Sequence, residues 1–255
     1  MPHIIMKRVW DYCTYSKKYF VFLFVLLFIS ALIQNYVRVN GDQLDWMFLQ
    51  FLVFISVSGY GMLITRSRIN HDERLPKIVI KDVIVLGIKS AIVMFIYLSI
   101  QNLILAHVSF SLDFPTFDLE DMLLHWSDTI QMLFNHDLVN ALLFVVLGGV
   151  LFYITAFFME IALAKLADTD SILSSFNLLS TKRSIDVVGW RNYAKEYTLI
   201  VLTIVILSYL ISIDIPHTFL DSIIDMILSF FIFATQYLGI GAVYAKIKYL
   251  ESVGS

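Results

Sequence analysis

Cysteine is almost absent. The 255 residues contain one, Cys13, so an intramolecular disulfide is excluded. That thiol reads as a bystander, with palmitoylation as the alternative. Charge is scarce as well: Asp, Glu, Lys and Arg make up 15% of the chain, against roughly 25% in an ordinary soluble domain. Also missing are HExxH, GxSxG, a Walker sequence and a glycine-rich nucleotide loop. No residue pattern nominates a nucleophile and its base, so the expectation is a protein that is not an enzyme, with no cofactor and no nucleic-acid partner.

What is abundant is apolar. Hydrophobic residues make up 59% of the chain and the mean hydropathy is +0.79, more than a soluble core can absorb. Six uncharged windows, 19–37, 46–65, 90–112, 138–159, 197–213 and 226–245, are 17 to 23 residues long. A hydrocarbon layer takes roughly 20 residues of helix. A membrane β-barrel would need short alternating strands, and runs such as 20–33, with one polar residue, Ser30, do not alternate. The fold class expected is therefore all-α: a polytopic integral membrane helical bundle over residues 1–255, one transmembrane domain. No small-x-small cleavage site follows the first window in Ser30-Ala31-Leu32-Ile33-Gln34, so that window reads as a retained helix rather than a signal peptide.

The 18 Lys and Arg residues set the orientation. Four precede the first window, six lie between the second and third, five between the fourth and fifth, and two follow the sixth. That leaves only Arg38 on the opposite side. Basic residues are retained on the cytoplasmic side during insertion, so both termini are expected there, in a multi-pass protein of the plasma membrane. The opposite stretch, 107–137, holds six carboxylates and no Lys or Arg.

The windows carry traces of a repeat. Tyr15-Ser16-Lys17-Lys18-Tyr19 resembles Tyr193-Ala194-Lys195-Glu196-Tyr197, and Gly59-Tyr60-Gly61 resembles Gly239-Ile240-Gly241. Val85-Leu86-Gly87-Ile88-Lys89 matches Val187-Val188-Gly189-Trp190-Arg191. Three copies of one hairpin, in parallel orientation, would account for these matches; the small alphabet of membrane helices is the alternative. Short interfacial helices complete the expectation. One is outside, over 117–134; a second begins at an Asp170 cap with Ile172, Leu173, Phe176 and Leu179 on one face; a third begins near Ser184. The inner elbows, with the stretch from Arg66 to Asp82, offer docking to a protein partner or anionic lipid.

Few polar groups enter the windows. Glu160, Lys89 and Asp225 stand at their edges; Lys165 is a candidate partner of Glu160, which reads as structural, with proton carrying as the alternative. Gln50, Ser56, Ser99, Gln101, Asn102, Thr235 and Gln236 read as interhelical hydrogen bonders. Gly59, Gly61, Gly239 and Gly241 are placed at helix contacts, each pair forming a strip of bare backbone, while Leu207 reads as lipid-facing. Asp121, His125 and Asp128 share a helix face at a spacing able to hold a divalent ion, with a solvated amphipathic face as the plainer reading.

The run Gly59-Tyr-Gly-Met-Leu-Ile-Thr-Arg-Ser-Arg-Ile-Asn-His-Asp-Glu-Arg-Leu-Pro76, with Gly87-Ile88-Lys89, resembles a motif of the archaeal, methanogen-type membrane-protein family called domain of unknown function 4013. Ala162-Leu163-Ala164-Lys165-Leu166-Ala167-Asp168, Phe176-Asn177, Gly189-Trp190 and Tyr193 extend the likeness. Asn70-His71 departs from it, where the family often has a glycine in the turn. The resemblance implies an archaeal plasma membrane and transfers no site residues. Two functions remain: a non-catalytic membrane scaffold or partner subunit, and a small transporter with a mid-membrane polar site. A polar cavity joining Gln50, Gln101 and Gln236 favours transport; a dry core favours the scaffold.

Overall fold

A computed structural model describes residues 10–12, 14–40, 44–72, 74–111, 138–211 and 218–253. Among them there is no strand. The helices are α1 (Lys17–Asn40), α2 (Leu44–Ile69), α3 (Ile80–Ser111), α4 (Leu138–Thr169), α5 (Ile172–Ser175), α6 (Leu178–Val188), α7 (Trp190–Ile211) and α8 (Thr218–Val253). Segments that expose no backbone to lipid must be helical, and the long uncharged runs satisfy that rule. Five helices, α2, α3, α4, α7 and α8, contain stretches long and apolar enough to cross a membrane.

All five are longer than the windows read from the sequence, three of them by nine residues or more. At 32 residues for α3 and α4 and 36 for α8, they measure roughly 48 and 54 Å, well beyond a 30 Å hydrocarbon core. The excess carries Lys81, Asp82 and Lys89 at the start of α3, Glu160, Lys165 and Asp168 late in α4, and Lys246, Lys248 and Glu251 late in α8. What reads as charged loop is in large part helix that continues out of the apolar layer. We call this the basic end of the protein.

Two breaks at the basic end use left-handed residues. His71 closes α2 at φ 60°, and Asp170 closes α4 at φ 59°. Both are residue types that tolerate this region. Residues 75–79, which belong to no helix, lead into α3. Leu75 is buried there, and the carbonyl of Pro76 accepts from the Tyr60 hydroxyl at 3.3 Å.

The expected inner helices are shifted. Asp170 caps nothing; the first short helix is four residues, α5, preceded by Ser171. The second starts at Leu178, not near Ser184, because Asn177 supplies the cap by accepting from the Ser180 amide at 2.9 Å. It ends at Gly189, φ 86°. The outer helix expected over 117–134 lies outside the described residues.

Contacts divide the chain into two compact units, one of residues 1–93 and 160–255, the other of residues 94–159. In the first, α8 is the axle, packing on α7, α2, α1 and α6. Of the apolar stretch of α2, 56% is buried, and of α8, 50%; for α7 the share is 17%. So α2 and α8 form the centre and α7 presents most of its surface outward, where lipid is the fitting solvent. In the second unit Phe144, Leu105 and Gln101 are buried, while Phe95, Leu103, Phe110 and Val146 are exposed apolar residues suited to lipid.

Candidate functional site

The four glycines singled out from the sequence each lie against a neighbour. A Cβ on Gly59 would stand 1.8 Å from the Val83 carbonyl oxygen and 2.9 Å from the Gly87 amide nitrogen of α3. One on Gly61 would stand 2.5 Å from the Tyr237 ring of α8. A Cβ on Gly239 would meet Ile200 of α7 at 2.8 Å, and one on Gly241 would meet Arg68 Cβ at 2.8 Å and the Thr65 carbonyl at 2.9 Å. The geometry departs from the expected strip. Residues two apart on a helix are turned by about 200°, so Gly59 and Gly61 serve opposite sides of α2, and Gly239 and Gly241 opposite sides of α8. Gly87, which the sequence offered in a repeat and in the family motif but not as a helix contact, is the counterpart of Gly59: its Cβ would lie 2.1 Å from the Ile55 carbonyl oxygen.

Across the α2–α8 contact, Thr65 donates to the Tyr237 carbonyl at 3.0 Å. This fixes the register of the two helices and brings polar atoms of α8 toward the basic end. One of them is Gln236. Its amide nitrogen donates to Glu160 Oε1 of α4 at 3.2 Å. Glu160 is 8% exposed, and its other oxygen, Oε2, is buried without a hydrogen-bond partner. Thr235 Oγ1 is in the same condition.

Lys165 is not the partner of Glu160. Five residues on along α4 it is turned by about 140°, and its ammonium donates to Ser180 Oγ at 2.8 Å and Thr181 Oγ1 at 3.2 Å of α6. Sequence spacing allows the pair; the helix face forbids it.

Beside Glu160 lies a cleft between α4, α7 and α8. Glu160, Ile161 and Ala164 form one wall, Tyr193, Tyr197 and Ile200 the second, and Ile240, Val243, Tyr244 and Ile247 the third. Each wall is one helical face at spacings of three and four residues. Among these lining residues Glu160 is the one charged group, in an otherwise apolar and aromatic groove. Tyr193 and Tyr197 stack on each other with centroids 6.2 Å apart.

The basic end is tied together by polar contacts. Lys89 of α3 reaches Asp170, Arg66 of α2 donates to the Ala167 carbonyl at the end of α4 and lies 3.8 Å from Asp170. Lys248 pairs with Asp168 at 2.7 Å, Lys246 pairs with Glu196, and Ser184 donates to Glu251 at 3.3 Å. Before α1, the Tyr12 hydroxyl lies 2.9 Å from the Arg74 carbonyl, and the Arg74 guanidinium sits 4.7 Å over the Tyr15 ring.

Of the other residues noted from sequence, Ser56 bonds within its own helix to the Leu52 carbonyl, and Gln101 is buried in the second unit with Oε1 unpartnered. Leu207 is buried, not lipid-facing. Among the described residues no group of three His, Cys, Asp or Glu is placed to hold a metal. Asp121, His125, Asp128 and Cys13 lie outside the described residues, and the side chain of Asp225 does too.

A family model described as a protein of unknown function (DUF4013) matches residues 46–216, well over half of the chain. No curated protein and no solved structure matches.

Proposed function

The chain belongs to the DUF4013 family of proteins of unknown function, and we propose that within it this multi-pass membrane protein is a non-catalytic scaffold or partner subunit. In this reading it has six spans built from repeated hairpins, both termini are cytoplasmic, and the membrane is the plasma membrane. α1, with 24 residues, supplies the sixth span, and the 17 to 1 division of basic residues supports the sidedness.

The observation that carries the proposal is the elbow α5–α6. Its polar groups are tied inward: Ser180 and Thr181 to Lys165, Ser184 to Glu251. Its leucines are not: Leu173 is 84% exposed, Leu178 60% and Leu179 74%. On α6, Leu178 and Leu179 interleave with exposed Lys182, Arg183 and Asp186. An in-plane lipid anchor needs apolar and charged residues on separate faces. Mixed on one rigid face, they suit a protein surface with apolar and acidic groups.

The test is the size of the complex in mild detergent extracts of native membranes. The wild-type chain should migrate as a discrete assembly larger than itself, and Leu178→Ser with Leu179→Ser should shrink it while leaving helicity unchanged. Identical migration of both proteins would refute the reading, as would crosslinks from position 179 that reach only lipid.

A small transporter is the second reading, and the buried Glu160–Gln236 pair is what favours it. The separation of Gln50 from Gln236 counts against it. Gln236 is level with Thr65, whose neighbour in the bond is Tyr237, whereas Gln50 lies fifteen residues earlier on the same helix as Thr65, roughly 22 Å away along the axis.

A further inference from the structure

We propose that two copies of this chain associate in the membrane through α3, with the Asn102 amides of the two copies hydrogen-bonded to each other across a two-fold axis. The inference goes beyond the scaffold reading and does not depend on it.

Asn102 carries a primary amide at mid-span. It lies in the uncharged stretch 90–112, at least ten residues from either end, which is roughly 15 Å along a helix. The short asparagine side chain cannot reach water over that distance. It is nevertheless exposed, as are Leu103 and Ile104 beside it, and it has no hydrogen bond to a described residue. Among the described residues of the uncharged stretches it is the one exposed amide: Gln101 is 3% exposed, turned inward, and Gln50 and Gln236 are half-buried. An amide left in hydrocarbon gives up its hydrogen bonds to water and gains none in return. A hydroxyl in such a place can turn back on its own helix, as Ser56 does to the Leu52 carbonyl; Asn102 makes no such bond.

The chemistry of the group selects its partner. Acyl chains offer neither donor nor acceptor. An amide has both, so a second amide facing it completes each by a reciprocal pair of N–H···O bonds. The 17 to 1 division of Lys and Arg favours one orientation for every copy. Two copies inserted the same way round pair about an axis along the membrane normal, and that axis sets each residue level with its own copy. Asn102 therefore meets Asn102. A foreign helix would need a polar residue at the same depth, whereas a second copy has one by construction. The surface around the amide has the form of a helix seam. Exposed Phe95, Leu98 and Ala106 stand at i−7, i−4 and i+4 from Asn102, within about 40° of it around α3. This is the spacing along which two helices pack side by side. Ala106, one turn from the amide, lets the backbones come close enough for two short side chains to bridge them.

Association is measured on the purified full-length chain in phosphatidylglycerol vesicles, by energy transfer between copies labelled at Ser255→Cys in a Cys13→Ser background, as lipid is added to dilute them. The parent chain should dimerise. Asn102→Leu should weaken the dimer by about tenfold or more, the effect expected of losing an interhelical hydrogen bond. Asn102→Gln, which keeps the amide, should restore most of the affinity. Because Asn102→Leu takes a polar group away from lipid, it should not lower the unfolding temperature, so its effect on the dimer is not one of misfolding. Crosslinking maps the seam. In the Cys13→Ser chain, Ala106→Cys should form a disulfide-linked dimer when copper phenanthroline is added, and Ile104→Cys, turned from Asn102 by about 200°, should not. The elbow variant, Leu178→Ser with Leu179→Ser, should dimerise as the parent does, so the two surfaces stand or fall separately. A monomer at every dilution, equal association of Asn102→Leu and its parent, or crosslinking at Ile104→Cys as fast as at Ala106→Cys overturns the proposal.

Discussion

Lys89 donates to Asp170 twice, to its backbone carbonyl and to its carboxylate, each at 2.8 Å. The double contact joins the first turns of α3 to the residue that ends α4, and Arg66 of α2 approaches the same carboxylate. Three elements that are remote in sequence therefore share one exposed acid, held at φ 59°.

Because Asp170 is half exposed, the pair should contribute little by itself, on the order of 1 kcal/mol. Lys89→Met is expected to lower thermal stability in detergent by about that amount. Backbone geometry gives a second, opposite-signed effect. The left-handed conformation costs alanine about 1 kcal/mol more than glycine, so Asp170→Gly should be less destabilising than Asp170→Ala. Equal midpoints for the two variants would show that the left-handed turn contributes nothing.

The Asn177 cap is a separate point of leverage. Its side chain accepts the Ser180 amide, and the loss of such a cap costs about 1 kcal/mol. Asn177→Ala should loosen the start of α6 and thereby Ser180 and Thr181, the acceptors of Lys165. Faster amide exchange confined to α6 is expected; uniform exchange across the bundle, or none, would be evidence against this local role.

Sidedness is the next expectation. With Cys13 replaced by serine, a cysteine introduced at Glu120 should react with an impermeant maleimide added outside intact cells. One at Lys182, exposed on α6, should react only after permeabilisation. Labelling of both from the same side is incompatible with the six-span topology.

How far the sequence speaks depends on which physical signal is at stake. The helices are legible because hydrocarbon forbids unpaired backbone, so any long uncharged run is a helix; α7, whose window is the shortest, forms from Trp190 to Ile211. Inside and outside are not legible in the same way. In lipid both faces of a helix are apolar, so Leu207 carries no mark of its burial and the lipid side of α7 is shown only by neighbours such as Val205 and Ile206. Partner choice fails for a similar reason: Lys165 follows Glu160 closely, yet the helix turn sends one to α6 and the other to α8. The Asn177 cap was missed because Asp170 is an equally good capping residue by type, and it was used instead to end α4.

The glycines give the sharpest test, since the cost of adding one methyl group depends on what it would strike. At Gly59 and Gly87 it would strike backbone: the Val83 carbonyl at 1.8 Å and the Ile55 carbonyl at 2.1 Å. Backbone has no rotamer to change, so α2 and α3 must separate where Gly59 meets Val83 and Gly87 meets Ile55. Gly59→Ala and Gly87→Ala should each destabilise by about 3 kcal/mol or more, the upper range for overpacking. At Gly239 the obstacle is the Ile200 side chain, with Cδ1 at 2.8 Å, which a rotamer change can move, so Gly239→Ala should cost clearly less. Gly61→Leu and Gly241→Leu must displace the Tyr237 ring and the Arg68 and Thr65 atoms between α2 and α8, and should disrupt that central pair. Gly149 has nothing within 4 Å of its added Cβ, so Gly149→Ala should be neutral or stabilising by up to about 1 kcal/mol through helix propensity. Val205→Ala on the outward face of α7 replaces Leu207→Ala as the lipid-facing control. Thermal unfolding in detergent ranks the series. If Gly59→Ala unfolds at the same temperature as Gly149→Ala, then α2 and α3 do not approach backbone to backbone, and their glycines are there only because membrane helices use glycine freely.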